Sequence, residues 1–260
     1  MKQGFDVRIV SYEYIHSIKD KDFKALIDAA NPKAKQVILD GMCGYGAVGK
    51  ALLKRQKNAL VYFQDESSVQ IKRARGNNPN LSSKWFEVSS LPKSNYPNNF
   101  FDTVVIKMGM HEVSKTDQLR VAKEVLRILK PGGKFVAWDI MLTKETQKLF
   151  QDVIRKKDEL SGFKMLTTER YFFREDEFVK TLKKAGFSKA KEFHPIAYRF
   201  SSKKRLESEL HNDKKRLKKL NEYIRDRFPD MLKKTMKYKD SGDDIQFNIV
   251  KKIFVMNKVG

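Results

Sequence analysis

The chain has 260 residues, 40% hydrophobic and 33% charged, with a formal net charge of +22; this supplies one sizeable core and a surface that draws phosphates, acidic membranes or anionic small molecules. A single cysteine, Cys43, excludes an intramolecular disulfide and a four-cysteine zinc site, and favours a reducing, cytoplasmic setting. No stretch approaches the roughly 20 apolar residues that span a bilayer, and the start, MKQGFDVRIV, lacks the long apolar core of a secretion signal.

In chain order, Ser11 to Ala30 carries Tyr12, Ile15, Ile18, Phe23, Leu26 and Ile27 at mostly helical spacing and halts before Asn31-Pro32. Residues 1–35 therefore read as an N-terminal helical lid. The segments QVILD, LVYFQD, KWFEV, DTVVIKM and GKFVAWDI follow, each short and rich in Val, Ile or aromatics, mostly separated by helical patterns such as AVGKALLKR and TDQLRVAKEVLRILK. Strand alternating with helix predicts an α/β fold with a mostly parallel sheet and helices on both faces. Pro131-Gly132-Gly133 is expected to end a helix at Lys130 and turn the chain into the next strand.

The second half is less regular. Residues 144–187 read as a helical insertion, closed by Gly186-Phe187, within a core of 36–200. KAKEFHPIAYRF reads as a strand whose Pro195 demands an edge position or a bulge. From Ser202 to Tyr238 a basic, heptad-like stretch carries Leu206, Leu210, Leu217, Leu220, Ile224, Met231 and Leu232 and is broken at Phe228-Pro229. Residues 201–260 thus hold a basic helical insertion and, in IQFNIVKKIFVMN, a final core strand.

Residues 37–52 concentrate the chemistry. An apolar run ends in Asp40, a loop with Gly44 and Gly46 follows, and a helical pattern begins at once; this order sets backbone N–H groups at a helix N-terminus beside a strand-end carboxylate. Such a cradle suits a nucleotide-like ligand with one anionic and one cationic end. Gly44-Tyr45-Gly46-Ala47-Val48-Gly49 also fits the dinucleotide template G-x-G-x-x-G.

Four segments in order resemble the class I S-adenosylmethionine-dependent methyltransferases, the broad group that includes the ubiquinone and menaquinone biosynthesis enzymes. They are the glycine loop, Asp65 after the second strand, EVSSLP before FFDTVV, and EVLRILKPGGKFV, spanning about Gln36 to Ile140. The resemblance implies S-adenosylmethionine as cofactor, a Rossmann-like sheet with its last strand antiparallel, a helical cap, and methylation of a small-molecule acceptor at oxygen, nitrogen or carbon. It further implies that Asp40 and the loop through Gly41, Met42, Cys43, Gly44 and Gly46 hold the methionine part, and that Asp65 accepts both ribose hydroxyls while Glu66 opens the next helix. Glu87 would meet the adenine amino group, with the Val88 N–H at a ring nitrogen, and Lys107 and Met108 would line the place where sulfonium and acceptor meet. Met42 stands where the family has its first loop glycine, which shifts the loop.

Methyl transfer is an in-line displacement that needs an aligned nucleophile, and a general base helps only a protonated acceptor. His111, in KMGMHEV beyond the fourth strand, stands at the carboxyl edge where open α/β sheets bind ligands, with Glu112 to orient it or to cap the next helix. The competing reading is a histidine that packs the loop. Tyr12, Tyr14 and His16 read either as lid residues or as one face of an ordinary amphipathic helix. Tyr171, inside an aromatic-basic cluster from Arg170 to Arg174, and Tyr198 and Arg199 on a late strand are substrate candidates suited to an anionic or aromatic acceptor, set against plain packing roles. Asp139 has no adjacent acidic partner, so no metal site is expected. An Asn/Asp-Pro-Pro-aromatic turn, a catalytic cysteine outside the loop and a paired-glutamate loop are absent, which thins out DNA-base, pyrimidine C5 and protein-arginine acceptors. Two other readings stay open: RNA methylation with the 202–240 arm as a salt-sensitive grip, and a non-catalytic binding module on the same fold.

Overall fold

The computed structural model describes residues 20–259. The described elements begin with helix α1 (Asp20–Ala30), strand β1 (Val37–Gly41), α2 (Ala47–Arg55), β2 (Leu60–Asp65), α3 (Ser68–Asn77), β3 (Phe86–Val88), β4 (Phe101–Lys107), α4 (Lys115–Ile128) and β5 (Leu129–Met141). They continue with α5 (Lys144–Leu160), α6 (Lys164–Glu169), α7 (Glu175–Ala185), β6 (Lys191–Ser201), α8 (Arg205–Ser208), α9 (Lys214–Arg227), α10 (Asp230–Thr235), β7 (Lys239–Asp240) and β8 (Ile245–Asn257). Two compact units result. One holds the described residues up to Asp139 with Asp176–Pro195 and the chain from Lys252 on; the other gathers Ile140–Glu175 and Ile196–Lys251.

The strands lie in the order β3-β2-β1-β4-β5-β8-β6, with β7 against β8, and β1 to β4 belong wholly to the first unit. Neighbours from β3 to β5 are parallel. Ile38, Leu39, Val104, Val105, Ile106, Phe135, Val136 and Ala137 are buried, as continuous apolar strands must be when both faces are covered. Because the order steps one way from β1 to β3 and the other way from β1 to β5, right-handed crossovers put α2 and α3 on one face and α4 on the other. The reversal opens a crevice beyond the carboxyl ends of β1 and β4, the place where such sheets hold ligands. β8 runs against its neighbours: Lys258 N–H donates to the Gly133 carbonyl beside the start of β5, and Ser188 N–H donates to the Asn257 carbonyl just before β6.

Several local readings change in the folded chain. Helix α4 ends at Ile128 rather than Lys130, since Leu129 already pairs with Phe101; the register then slips so that Thr103 meets Lys134, and the Pro131-Gly132-Gly133 turn becomes an irregularity inside β5 with Gly132 at φ 72°. The helical reading of 144–187 is interrupted. Residues 170–173 are irregular, and Leu142 bridges to Arg174 in parallel. Pro195 sits on β6, the last strand in the order, an edge position of the kind that tolerates proline.

In the second unit, α9 starts at Asp213, whose carboxylate accepts the Lys215 and Arg216 N–H groups, and buries Leu217, Leu220 and Ile224 before Pro229 stops it. The basic stretch is therefore three helices, α8 to α10, rather than one broken helix. A buried ionic cluster lies in the same unit: Lys157 Nζ is 2.7 Å from Asp158 and 2.6 Å from Glu209, Arg170 is 3.1 Å from Asp158, and Arg205 is 3.5 Å from Glu209. Charges removed from water in this way hold one another in place.

Candidate functional site

Strand β1 delivers Asp40 to the crevice, but the side chain turns inward. It is 1% exposed, and Oδ2 accepts the Gly49 N–H at 2.8 Å, tying the strand end to the first turn of α2. Burial pushes the carboxyl up to about 8, with the Gly49 N–H and Lys107 opposing the rise and Asp65 adding to it. Asp40 therefore shapes the loop from beneath, which departs from the expected direct contact with the methionine part. Two residues on, Met42 is left-handed at φ 52°, a conformation that costs a side-chain-bearing residue about 1–2 kcal/mol. Gly109 accommodates it: a Cβ there would lie 2.8 Å from Met42 Sδ. Gly44 has φ 53° and nothing within 4 Å of a notional Cβ, so open space lies above it. Gly46 and Gly49 serve packing instead: a Cβ on Gly46 would lie 2.9 Å from the Ala74 Cβ and 3.2 Å from the Phe63 ring, and one on Gly49 would strike that ring at 2.2 Å. That ring is fully buried and stacks on Phe86 at 4.7 Å. Helix α2 begins at Gly46 with no side-chain cap and no acid in its first turn, leaving its N-terminus suited to an anion.

At the end of β2, Asp65 Oδ2 accepts the Gly44 N–H at 2.9 Å and Oδ1 the Ser67 N–H at 3.0 Å, so the carboxylate joins the glycine loop to the start of α3. Buried Gln64 makes a second stitch. Its Oε1 accepts the Met42 N–H at 3.2 Å and its Nε2 donates to the Ser89 carbonyl. Glu87 pairs in register with Gln64, and its Oε1 is buried with no hydrogen-bond partner among the described residues. Val88 beside it is exposed, as is Glu66.

On the other side of the crevice, β4 ends in half-buried Lys107, followed by Met108 at φ 57°. Burial lowers the Lys107 ammonium's pKa from its ordinary value, and the Asp40 and Asp139 carboxylates oppose the shift. His111, in the turn after β4, is buried between two carboxylates: Nδ1 is 2.5 Å from Asp139 Oδ1, and Nε2 is 3.3 Å from Glu112 Oε1. Burial disfavours the charged ring, but Asp139 and Glu112 outweigh it and hold the imidazole above the ordinary histidine value. The charged form of the ring is thus favoured by a carboxylate on each side.

Comparison with known proteins fits this geometry. Residues 38–133 match the family model of a methyltransferase domain. These residues are thus similar to a methyltransferase domain. Among relatives, the chain is 28% identical over 155 residues to the ubiquinone/menaquinone biosynthesis C-methyltransferase UbiE of Hydrogenovibrio crunogenus, a match that covers 58% of each chain. A protein of Bacillus halodurans assigned to the methyltransferases has the same fold, with a TM-score of 0.78 at 17% identity over 92% of this chain and all of that one. Phosphoethanolamine N-methyltransferase 2 of Haemonchus contortus, solved with S-adenosylhomocysteine and phosphomonomethylethanolamine, gives a TM-score of 0.59 at 18% identity, covering 98% of this chain and 58% of that one.

The cofactor of the methyltransferase domain is S-adenosylmethionine, and the residues present fit it. The orphaned Glu87 oxygen, the open space over Gly44 and the uncapped N-terminus of α2 are features that a nucleoside carrying an amino acid would satisfy. Gly49 does not discriminate between a dinucleotide and this cofactor, because its missing side chain makes room for Phe63, the helix-to-strand packing that the dinucleotide template also asks of its third glycine. Cys43 lies in the loop with its N–H on the Gln64 carbonyl, its thiol pushed up by burial and by the nearby Asp40 and Asp65 carboxylates.

Asp40, Gly41, Met42, Cys43, Gly44, Gly46, Asp65, Glu66, Glu87, Val88, Lys107, Met108, His111 and Glu112 all belong to the first unit. Tyr171, Tyr198 and Arg199 belong to the second. Tyr171 Oη accepts from Gln147 at 3.1 Å, Tyr198 Oη accepts from Arg205 with Lys251 4.0 Å from its ring, and exposed Arg199 donates to Gln246 and Asn248. Arg199 is thus engaged in joining β6 to β8. Tyr12, Tyr14 and His16 lie outside the described residues. Sequence reasoning missed Gln64, whose signal was a polar residue at an apolar strand's end, and missed Asp139 as the partner of His111, assigning that role to Glu112 alone. Among the described residues no group of His, Cys, Asp or Glu forms a metal site, and no helix is long and apolar enough to cross a membrane.

Proposed function

We propose that this protein transfers the methyl group of S-adenosylmethionine to a small-molecule acceptor at the carboxyl edge of the sheet. The Asp65 carboxylate, bonded to the glycine loop and to the start of α3, carries this reading. As a pure acceptor it suits the two ribose hydroxyls. Glu87 takes the adenine amino group and the N-terminus of α2 the carboxylate. The bound cofactor supplies an electrophilic methyl group on a sulfonium, which an aligned nucleophile displaces. Lys107 and Met108 border the reacting centre, and His111 removes a proton from an acceptor that carries one.

The relatives' activity, C-methylation in ubiquinone and menaquinone biosynthesis, supports a carbon acceptor, and the chain spans 58% of the first such relative. An RNA acceptor is less favoured, since the solvent face of α9 mixes Lys215, Lys218 and Lys219 with Glu222 and Asp226 rather than presenting one sign.

Isothermal titration with S-adenosylmethionine tests the proposal. The wild type gives saturable binding, and Asp65→Ala weakens it about 10- to 100-fold, as expected for losing hydrogen bonds to a charged group. No saturable heat at millimolar cofactor, or equal affinity in the variant, refutes it.

A further inference from the structure

Asp139 lies near the end of β5 at 0% exposure, 28 residues downstream of His111. One carboxylate holds the turn at two points: Oδ1 lies 2.5 Å from the ring Nδ1, and Oδ2 accepts the His111 backbone N–H at 3.3 Å. The turn is fastened again by Gln118, which donates to the Met110 carbonyl at 3.1 Å. Across the ring, Nε2 faces Glu112 at 3.3 Å. Among the described residues, charged groups that face this imidazole are Asp139 from β5 and Glu112 from its own turn, with Lys107 of β4 acting on Asp139.

We propose that Asp139 is the positioning residue that makes His111 a one-sided base, and that Glu112 is a stand-in partner which the acceptor displaces. This deepens the methyltransferase reading and rests on it. An imidazole whose Nδ1–H is held by a carboxylate keeps its lone pair on Nε2 once neutral. In the resting protein both nitrogens face carboxylates, an arrangement that favours the doubly protonated ring, which has no lone pair to offer. When the Nε2 proton leaves to solvent and the acceptor replaces Glu112, the acceptor's X–H bond breaks, an Nε2–H bond forms, and the electron pair stays on the acceptor as the nucleophile. The imidazolium then returns its proton to solvent, closing the balance.

The arrangement has a pH signature that packing alone would not produce. Activity requires the neutral ring and rises with pH through the raised His111 value. Removing either carboxylate lowers that value, so the acid limb moves to lower pH. Asp139→Asn also loses the charge that orients the ring, and its maximal rate falls about 100-fold or more, in keeping with what a positioned general base contributes. Glu112→Gln shifts the limb without a comparable loss and raises activity at acid pH.

The test uses the full chain labelled with 15N-histidine, which has four histidines, His16, His111, His194 and His211. Nitrogen-detected titration of wild type, Asp139→Asn and Glu112→Gln reads the tautomer and midpoint of His111. In parallel, methyl-labelled S-adenosylmethionine and fractionated cell extract read the pH profile of transfer. The expected result is an Nδ1–H tautomer and a raised midpoint in the wild type, with the midpoint and the acid limb lowered together by one pH unit or more in each variant. A wild-type midpoint and tautomer retained in Asp139→Asn, or variants whose limb stays fixed, overturn the proposal. If Asp139→Asn fails to fold, Glu112→Gln alone decides by the same readout. A wild type that binds no S-adenosylmethionine instead defeats the methyltransferase reading, a result distinct from any change at His111.

Discussion

Replacing Asp40 by Asn should stabilise this protein, and by an amount that grows with pH. The carboxyl is 1% exposed and pushed up to about 8 by burial, so the native state keeps a proton that the unfolded chain releases near its ordinary value of 3.8. Between those two values the native state binds more protons than the unfolded state, and stability falls as pH rises. The contribution is fully present below the unfolded value and is lost as pH climbs through the folded one. At about 1.4 kcal/mol per pH unit, the loss reaches on the order of 4 kcal/mol by pH 7 and about 0.5 kcal/mol at pH 4. Asn cannot ionise, yet its side-chain oxygen can still accept the Gly49 N–H. Urea unfolding of both proteins at half-unit steps from pH 4 to pH 8 should show curves that nearly meet at pH 4 and diverge steadily above it. Parallel curves, or a variant weaker than wild type at pH 7, would refute the argument that burial dominates this carboxyl. The stability forgone is of the kind that ligand sites retain.

Two further outcomes concern packing and charge. Gly49→Ala drives a methyl group to 2.2 Å from Phe63 and should lower stability by about 1–3 kcal/mol in thermal unfolding, whereas Gly76→Ala, near the end of α3 with nothing within 4 Å, should raise it by about 0.5–1 kcal/mol; equal effects would show that propensity rather than the Phe63 contact governs. Lys157→Met removes the shared cation of Asp158 and Glu209 and should cost about 3–5 kcal/mol in chemical denaturation, and a loss below about 1 kcal/mol would mean that the cluster does not depend on its lysine.

The parts of the site written in contiguous residues were legible. The run from Val37 through Gly46 encodes strand, loop and helix in one short stretch, and Asp65 ends its strand, so local periodicity and turn chemistry suffice to find them. The alternation of apolar strands with helices likewise implied the parallel sheet, because parallel neighbours require crossovers. Burial was harder to read. Asp40 belongs to the cradle by position, but only the approach of α2, permitted by the absent side chain of Gly49, turns its carboxyl inward and changes its charge. Met42 in place of a loop glycine was visible, whereas its accommodation by Gly109 was not, since those residues meet only when β1 and β4 pair.

By itself, the sequence determined which segments are strands and helices and which residue types sit at the strand ends, because hydrophobic period and glycine placement act over a few residues. Tertiary structure alone decided which of those ends face one another. The parallel pairing of β4 with β5 brings Asp139 to His111, and the in-register pairing of β2 with β3 sets Glu87 beside Gln64. Contacts between residues tens of positions apart depend on sheet register and strand order, and these are settled by burying the whole apolar surface at once rather than by any short stretch of chain.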